Sequence, residues 1–168
     1  MRDQRPQIPQ SKIKGIAELR ALVAEAKRSG RTVVFANGCF DVIHVGHTRY
    51  LQGARAQGDV LIVAINSDES VRSLKGVGRP LQSADERAEI IASFDCVDYV
   101  LVFAGPTVDR ILRDLEPDVH AKGTDYTSET VPERETVRSY GGRVAIVGDA
   151  KGHSSRDMIA RILDRSRP

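Results

Sequence analysis

The sequence predicts a doubly wound α/β domain: a single Rossmann-like parallel sheet of about five strands with helices on both faces. Three observations lead there. Short apolar runs alternate with amphipathic segments along the chain, the pattern of strand–helix–strand units. The best run, Val60-Leu61-Ile62-Val63-Ala64-Ile65, is unbroken rather than alternating, as suits a strand buried on both faces. The 168 residues match about one domain, with no internal repeat or interior linker.

The elements follow in order. Residues 1–11 carry Pro6 and Pro9 and almost nothing apolar, so they read as a flexible arm ahead of a domain over 12–168. Ile16, Leu19, Leu22, Val23 and Ala26 recur at helical spacing until Gly30. Thr32 to Ala36 reads as a buried strand, followed by a glycine-containing loop and a helix over about 46–57 with Tyr50, Leu51 and Ala54 on its apolar face. Asp59 to Asn66 is the second strand. Ser67 or Asp68 then caps a short helix containing Val71 and Leu74. Two glycines and a proline make Lys75 to Leu81 a loop. Ser83, three residues before Glu86, opens a capping-box helix through Ala92. Val97 to Phe103, Asp118 to Ala121 and Arg143 to Val147 read as further strands. Thr107 to Leu115, Val131 to Tyr140 and Ser154 to Leu163 read as the helices between and after them.

Composition narrows the class. The 40% apolar and 29% charged fractions are those of an ordinary globular protein. A net charge of +2 with 5% aromatic residues argues against a dedicated nucleic-acid binder. No run approaches the roughly 18 apolar residues of a membrane span. Met1 to Gln10 lacks the apolar core of a secretory signal. Two cysteines, Cys39 and Cys96, make neither a disulfide scaffold nor a four-cysteine zinc site, and a reducing cytoplasm is expected.

In doubly wound sheets ligands bind beyond the carboxyl ends of the strands. Chemistry is therefore expected in the loops after Ala36, Asn66, Phe103, Ala121 and Val147. The first of these reads Asn37-Gly38-Cys39-Phe40-Asp41-Val42-Ile43-His44-Val45-Gly46-His47. Neither the Walker A pattern nor G-x-G-x-x-G is present. Gly38 nevertheless lets a ligand approach the backbone after a strand. Gly46 and His47 stand at a helix start, where amides and the helix dipole favour an anion. His44 and His47, one turn apart, can each offer an N–H to phosphate oxygens. As a metal pair they would need further ligands, and the other histidines are His120 and His153.

A strand followed by N-G-C-F-D-x-x-H-x-G-H resembles the H-x-G-H nucleotidylyltransferase superfamily. Val63-Ala64-Ile65-Asn66-Ser67-Asp68, Leu74-Lys75-Gly76-Val77-Gly78-Arg79-Pro80-Leu81, Lys122-Gly123-Thr124-Asp125-Tyr126 and Gly152-His153-Ser154-Ser155 extend the likeness over Lys12 to Ile162. They make the chain similar to the heptose-1-phosphate adenylyltransferases, the nucleotidyl-transfer half of ADP-heptose synthase. The resemblance implies that His44, His47, Lys75 and Lys122 supply the catalytic field. Asn37, Gly38, Cys39, Phe40, Gly46, Gly123, Asp125, Ser154 and Ser155 would hold the nucleotide. Asp41, which also supports the loop, would lie with Asn66, Asp68 and Arg79 at the sugar-phosphate side.

The family chemistry is in-line transfer of AMP from ATP to a sugar 1-phosphate, here heptose 1-phosphate. It needs no covalent intermediate, and Mg²⁺ would be held mainly by nucleotide phosphates. Relatives are often dimers or higher oligomers, so a homo-oligomer is expected, with no nucleic acid or membrane partner. In many bacteria the activity is fused behind a sugar kinase. At 168 residues the chain is expected to act as a stand-alone transferase.

Plainer readings stand beside these roles. Lys75 and Arg79 can be solvated loop charges, Asp68 and Ser154 helix caps, Asp125 a turn former, Arg87 a structural ion-pair partner and Cys39 a small packed residue. Two positions depart from the family pattern: Arg156, where a small hydroxyl residue is common, and His120, where an aliphatic one is. Two other functions compete. One is a cytidylyltransferase acting on glycerol 3-phosphate or a related phosphate. The other is a non-catalytic nucleotide-binding module whose basic last turn (Arg161, Arg165, Arg167) meets an acidic partner.

Overall fold

The computed structural model describes residues 9–150 and 152–166. Five strands, β1 (Val33–Gly38), β2 (Val60–Asn66), β3 (Tyr99–Phe103), β4 (Val119–Gly123) and β5 (Arg143–Val147), form one all-parallel sheet in the order β3-β2-β1-β4-β5. The helices are α1 (Ile16–Arg28), α2 (Val45–Arg55), α3 (Asp68–Lys75), α4 (Ala84–Ala92), α5 (Asp109–Leu115), α6 (Arg134–Ser139) and α7 (Ser155–Arg165). This is the predicted fold, with element ends moved by one to three residues. The largest shift is at α6, whose helical hydrogen bonding starts at Arg134 rather than Val131. Of the expected arm, residues 1–8 lie outside the described residues. Pro9–Lys12 form a 3₁₀ turn, and the Lys12 ammonium donates to the carbonyls of Phe94 (3.2 Å) and Val97 (2.8 Å).

Every residue of β2 is buried, because β1 and β3 flank it and helices cover both faces. Alternate side chains divide the core. Val34, Ala36, Leu61, Val63, Ile65, Val119 and Ala121 pack with Leu51 and Ala54 of α2 and Ala88 and Ile91 of α4. Val33, Phe35, Val60, Ile62 and Ala64 pack with Leu19 and Val23 of α1, Leu112 of α5 and Val137 of α6. Each Val, Leu, Ile or Phe side chain among them contributes roughly 1.5–3 kcal/mol when fully buried, which fixes strand register firmly.

That register places the site. The chain runs outward from β1 to β2 and β3, then returns to β4 and β5 on the other side, so the topological switch lies between β1 and β4. β1 pairs with β2 from Val33 to Gly38 but with β4 only from Val34 to Ala36. Beyond Ala36 and Ala121 the two strands part. Asn37 and Gly38 stay with β2, whereas Lys122 and Gly123 stay with β5. A crevice opens between them at the carboxyl ends, where a doubly wound sheet binds its ligand.

Candidate active site

The loop from β1 to α2 is a strained backbone held from three sides. Phe40 and Val42 have positive φ (52° and 58°), an uncommon conformation for any side chain and least tolerated by a β-branched one. Arg87, wholly buried on α4, donates Nη1 to the Cys39 carbonyl (2.6 Å), Nε to the Gln82 carbonyl (3.0 Å) and Nη2 to Asp68 (2.7 Å). The Asp41 carboxylate accepts the Leu81 and Gln82 N–H groups (3.0 and 3.2 Å) and Arg79 Nε (2.6 Å). From the far end of the chain, Ser155 Oγ donates to the Asp41 carbonyl (2.5 Å). Over-determination of this kind is what lets unfavourable backbone persist at a functional loop.

The loop delivers two histidines to the start of α2. His44 is the N-cap and His47 lies in the first turn, with stacked rings whose centroids are 3.9 Å apart. His47 Nδ1 accepts the His44 N–H (3.3 Å), so the proton of the neutral ring sits on Nε2. Burial, then the charges of His44 and Lys75, push the His47 pKa down to about 4. Burial and His153 lower that of His44. Both rings are therefore neutral N–H donors at pH 7. The His44 ring crowds Gly46: a Cβ there would stand 3.0 Å from His44 Cε1 and Nδ1, so the ring would have to shift by a few tenths of an ångström. Gly46→Ala is expected to cut turnover about tenfold or more by displacing that ring, a small misplacement having large kinetic cost. Its urea unfolding midpoint should move little, and a parallel loss of stability would sink the explanation.

Two chambers meet at the crevice. The larger, about 790 Å³, is lined by His44, Gly46, His47, Tyr50, Lys75, Arg79, the 123–125 turn and residues 147–150 and 152–157 around the start of α7. Two eleven-residue helices, α2 and α7, point their N-termini into it, alongside cationic Lys75, Arg79 and Arg156. Unpaired amides, helix dipoles and cations make an anion site. The smaller chamber, about 240 Å³, is lined by Asn37, Gly38, Cys39, Phe40, Asn66, Lys122 and Tyr126. His47, Tyr50, Gly123 and Asp125 border both. Within the smaller chamber Lys122 is nearly buried, its ammonium 3.4 Å from the Glu133 carboxylate and 4.8 Å from the centre of the Tyr126 ring.

The structure sorts the expected site residues differently from the motif order. His44, His47, Lys75, Gly46, Gly123, Asp125, Ser154 and Ser155 gather at the larger chamber. Asn37, Gly38, Cys39 and Phe40, expected at the nucleotide, line the smaller one with Asn66, and the Phe40 ring lies beside His47, centroids 5.4 Å apart. Arg79, expected at the sugar phosphate, lines the larger chamber while tied to Asp41. Asp41 borders neither chamber, since its carboxylate faces the 81–82 backbone. Asp68 likewise borders neither and pairs with Arg87. Ser154 caps α7, accepting the Asp157 N–H (3.0 Å), so both Ser154 and Ser155 hydroxyls are engaged within the protein. Burial raises the Cys39 thiol pKa, against a nucleophilic role. Three participants had no sequence signal: Tyr50, read as core, Glu133, the ion-pair partner of Lys122, and Asp149, an ion-pair partner of Arg49 at the rim.

Comparison with known proteins gives a consistent set. The cytidylyltransferase-like family model matches residues 35–161. The chain is 50% identical over 155 residues to the bifunctional protein HldE of Syntrophotalea carbinolica, and 43% identical over 162 residues to that of Pseudomonas aeruginosa. These alignments take in 92% and 96% of this chain but 32% and 34% of the relatives, so the chain spans about a third of their length. A lipopolysaccharide core biosynthesis protein from Thermoplasma volcanium superposes with a TM-score of 0.61 at 26% identity, over 74% of this chain and all of that one. Pantoate-beta-alanine ligase from Francisella tularensis shares the fold, with a TM-score of 0.66 at 15% identity over 91% of this chain and 76% of that one.

Proposed function

The chain belongs to the cytidylyltransferase-like family, and on that premise we propose that it transfers AMP from ATP to a sugar 1-phosphate, heptose 1-phosphate, releasing pyrophosphate and forming ADP-heptose. The observation that carries this reading is the pair of chambers sharing His47. A triphosphate in the larger chamber and an acceptor in the smaller would meet at that ring. An acceptor phosphate oxygen attacks the α-phosphorus. A new P–O bond forms, the bond to the β-phosphate oxygen breaks, and pyrophosphate leaves with that electron pair. The acceptor phosphate is ionised at pH 7, its second pKa being about 6, so no general base is needed. The chain's own part is to align the reactants and stabilise growing charge on the leaving group. His44, His47, Lys75, Arg79 and the α7 amides serve that end. Lys122, neutralised by Glu133, faces the acceptor instead.

Mg²⁺ supplies charge screening on the triphosphate. Among the described residues no three His, Cys, Asp or Glu side chains gather as a ligand set, and the larger chamber is rich in N–H donors and cations. That chemistry grips phosphate, which suits an ion carried by the phosphates and water. Homo-oligomeric assembly and a cytoplasmic setting belong to the same proposal. No described helix is long and apolar enough to cross a membrane.

Pyrophosphate release, measured with ATP or CTP against heptose 1-phosphate or glycerol 3-phosphate, tests the reading. Release is expected with ATP and heptose 1-phosphate. Turnover confined to CTP and glycerol 3-phosphate would replace it with the cytidylyltransferase reading. ATP binding with no release from any acceptor would leave a binding module.

A further inference from the structure

One buried titratable side chain has no part in the transfer chemistry above. His120, the second residue of β4, has no solvent exposure, and its ring lies 5.7 Å from that of Phe35. Burial, then the nearby charge of Lys122, push its pKa down to about 3, so the ring is neutral. Nε2 lies 3.1 Å from Asn37 Oδ1, while Nδ1 is buried with no hydrogen-bond partner. An amide oxygen only accepts, so the ring proton is on Nε2. An orphaned ring nitrogen carries a desolvation cost that an aliphatic residue of similar size would avoid. Stability alone therefore does not account for a histidine here.

Strand alternation shows what the bond does. Phe35 and Asn37 of β1 project to one face of the sheet, and His120 and Lys122 of β4 project to the same face. Asn37 sits where β1 and β4 part, at the floor of the smaller chamber. The bond to His120 holds the amide oxygen inward. The amide NH₂ group, which has no protein partner among the described residues, is left toward the chamber. Asn66 ends β2 on the same face, and Lys122 is charge-neutralised by Glu133. The row therefore suits uncharged oxygens rather than a second phosphate.

We infer that His120 is a positioning residue that locks Asn37 as a hydrogen-bond donor to an uncharged, hydroxyl-bearing part of the acceptor. The assignment rests on the acceptor occupying the smaller chamber. With an aliphatic residue at 120 the amide is free to turn over, and the chamber loses its fixed donor.

The test compares His120→Leu and His120→Gln with the unaltered protein, using ATP and heptose 1-phosphate. In H120L the acceptor KM is expected to rise about three- to tenfold, the size of one lost hydrogen bond. The ATP KM and kcat should stay within about twofold. H120Q, which keeps an N–H donor, should recover most of the acceptor KM. An unchanged acceptor KM, or equal rises for both substrates, would overturn the inference. Nitrogen-15 NMR of the unaltered protein should find His120 protonated at Nε2 and bare at Nδ1, and the opposite tautomer would also overturn it. That measurement needs no turnover and no variant. It decides the lock even if H120L fails to fold, or if heptose 1-phosphate proves not to be a substrate and the functional reading falls instead.

Discussion

His47→Ala is expected to lower kcat by about 10²–10³, the usual cost of deleting one preorganised donor to a developing negative charge. The ring borders both chambers, is stacked on His44, and has its Nδ1 occupied by the His44 N–H, so its Nε2 proton is the part left for a ligand. Because burial keeps it neutral down to about pH 4, it brings a directed N–H rather than a charge. His47→Asn, which retains a donor, should lose less than His47→Ala. Single-turnover kinetics with saturating ATP would separate the chemical step from binding. An effect confined to a higher ATP KM, with kcat intact, would show that the ring merely anchors ground-state phosphate.

Asp41→Ala is expected to destabilise the fold by about 3 kcal/mol, the lower end for breaking a buried ion pair. The side chain is 1% exposed, and its loss strands the Leu81 and Gln82 N–H groups and the Arg79 guanidinium. Burial alone would push its carboxyl up. The Leu81 N–H, the Arg79 guanidinium and the Gln82 N–H outweigh burial and hold it below the ordinary carboxylate range. A depressed folded pKa means that the unfolded chain takes up its proton first as pH falls. The stabilisation is thus complete above an unfolded pKa of about 3.9 and is lost as pH drops through the folded value. Urea unfolding at pH 7 and across pH 4.5 to 2.5 checks both points. The unaltered protein should lose stability more steeply below about pH 4 than Asp41→Ala. Equal acid slopes, or a neutral-pH difference under about 1 kcal/mol, would rule out this role.

Much of the fold could be read from the sequence because apolar periodicity reports burial directly. The unbroken run of β2 suits a two-sided strand, and Ser83 with Glu86 marked the start of α4. The histidine pair could be read as well, since a one-turn spacing at a helix start depends only on local geometry. The partition into two chambers could not. Between them runs a loop whose backbone takes positive φ at Phe40 and Val42, which no residue preference advertises, since neither is glycine or asparagine. Asp41 sits amid the motif, but its partners, the Arg79 guanidinium and the Leu81 and Gln82 amides, lie some forty residues later, a pairing no local pattern encodes. Tyr50 on α2 and Glu133 before α6 gained their place by meeting Ala121 and Lys122 of β4, contacts distant along the chain that no local pattern encodes.

The tie from Ser155 to the histidine loop spans 114 residues, one of the longest separations in the molecule. Contacts of such separation form late, because the intervening chain must be ordered before they gain anything. During synthesis the five strands and both histidines are complete before α7 can dock. The protein therefore acquires its scaffold first and the α7 wall of its larger chamber last. A chain caught between those stages would be well ordered and inert.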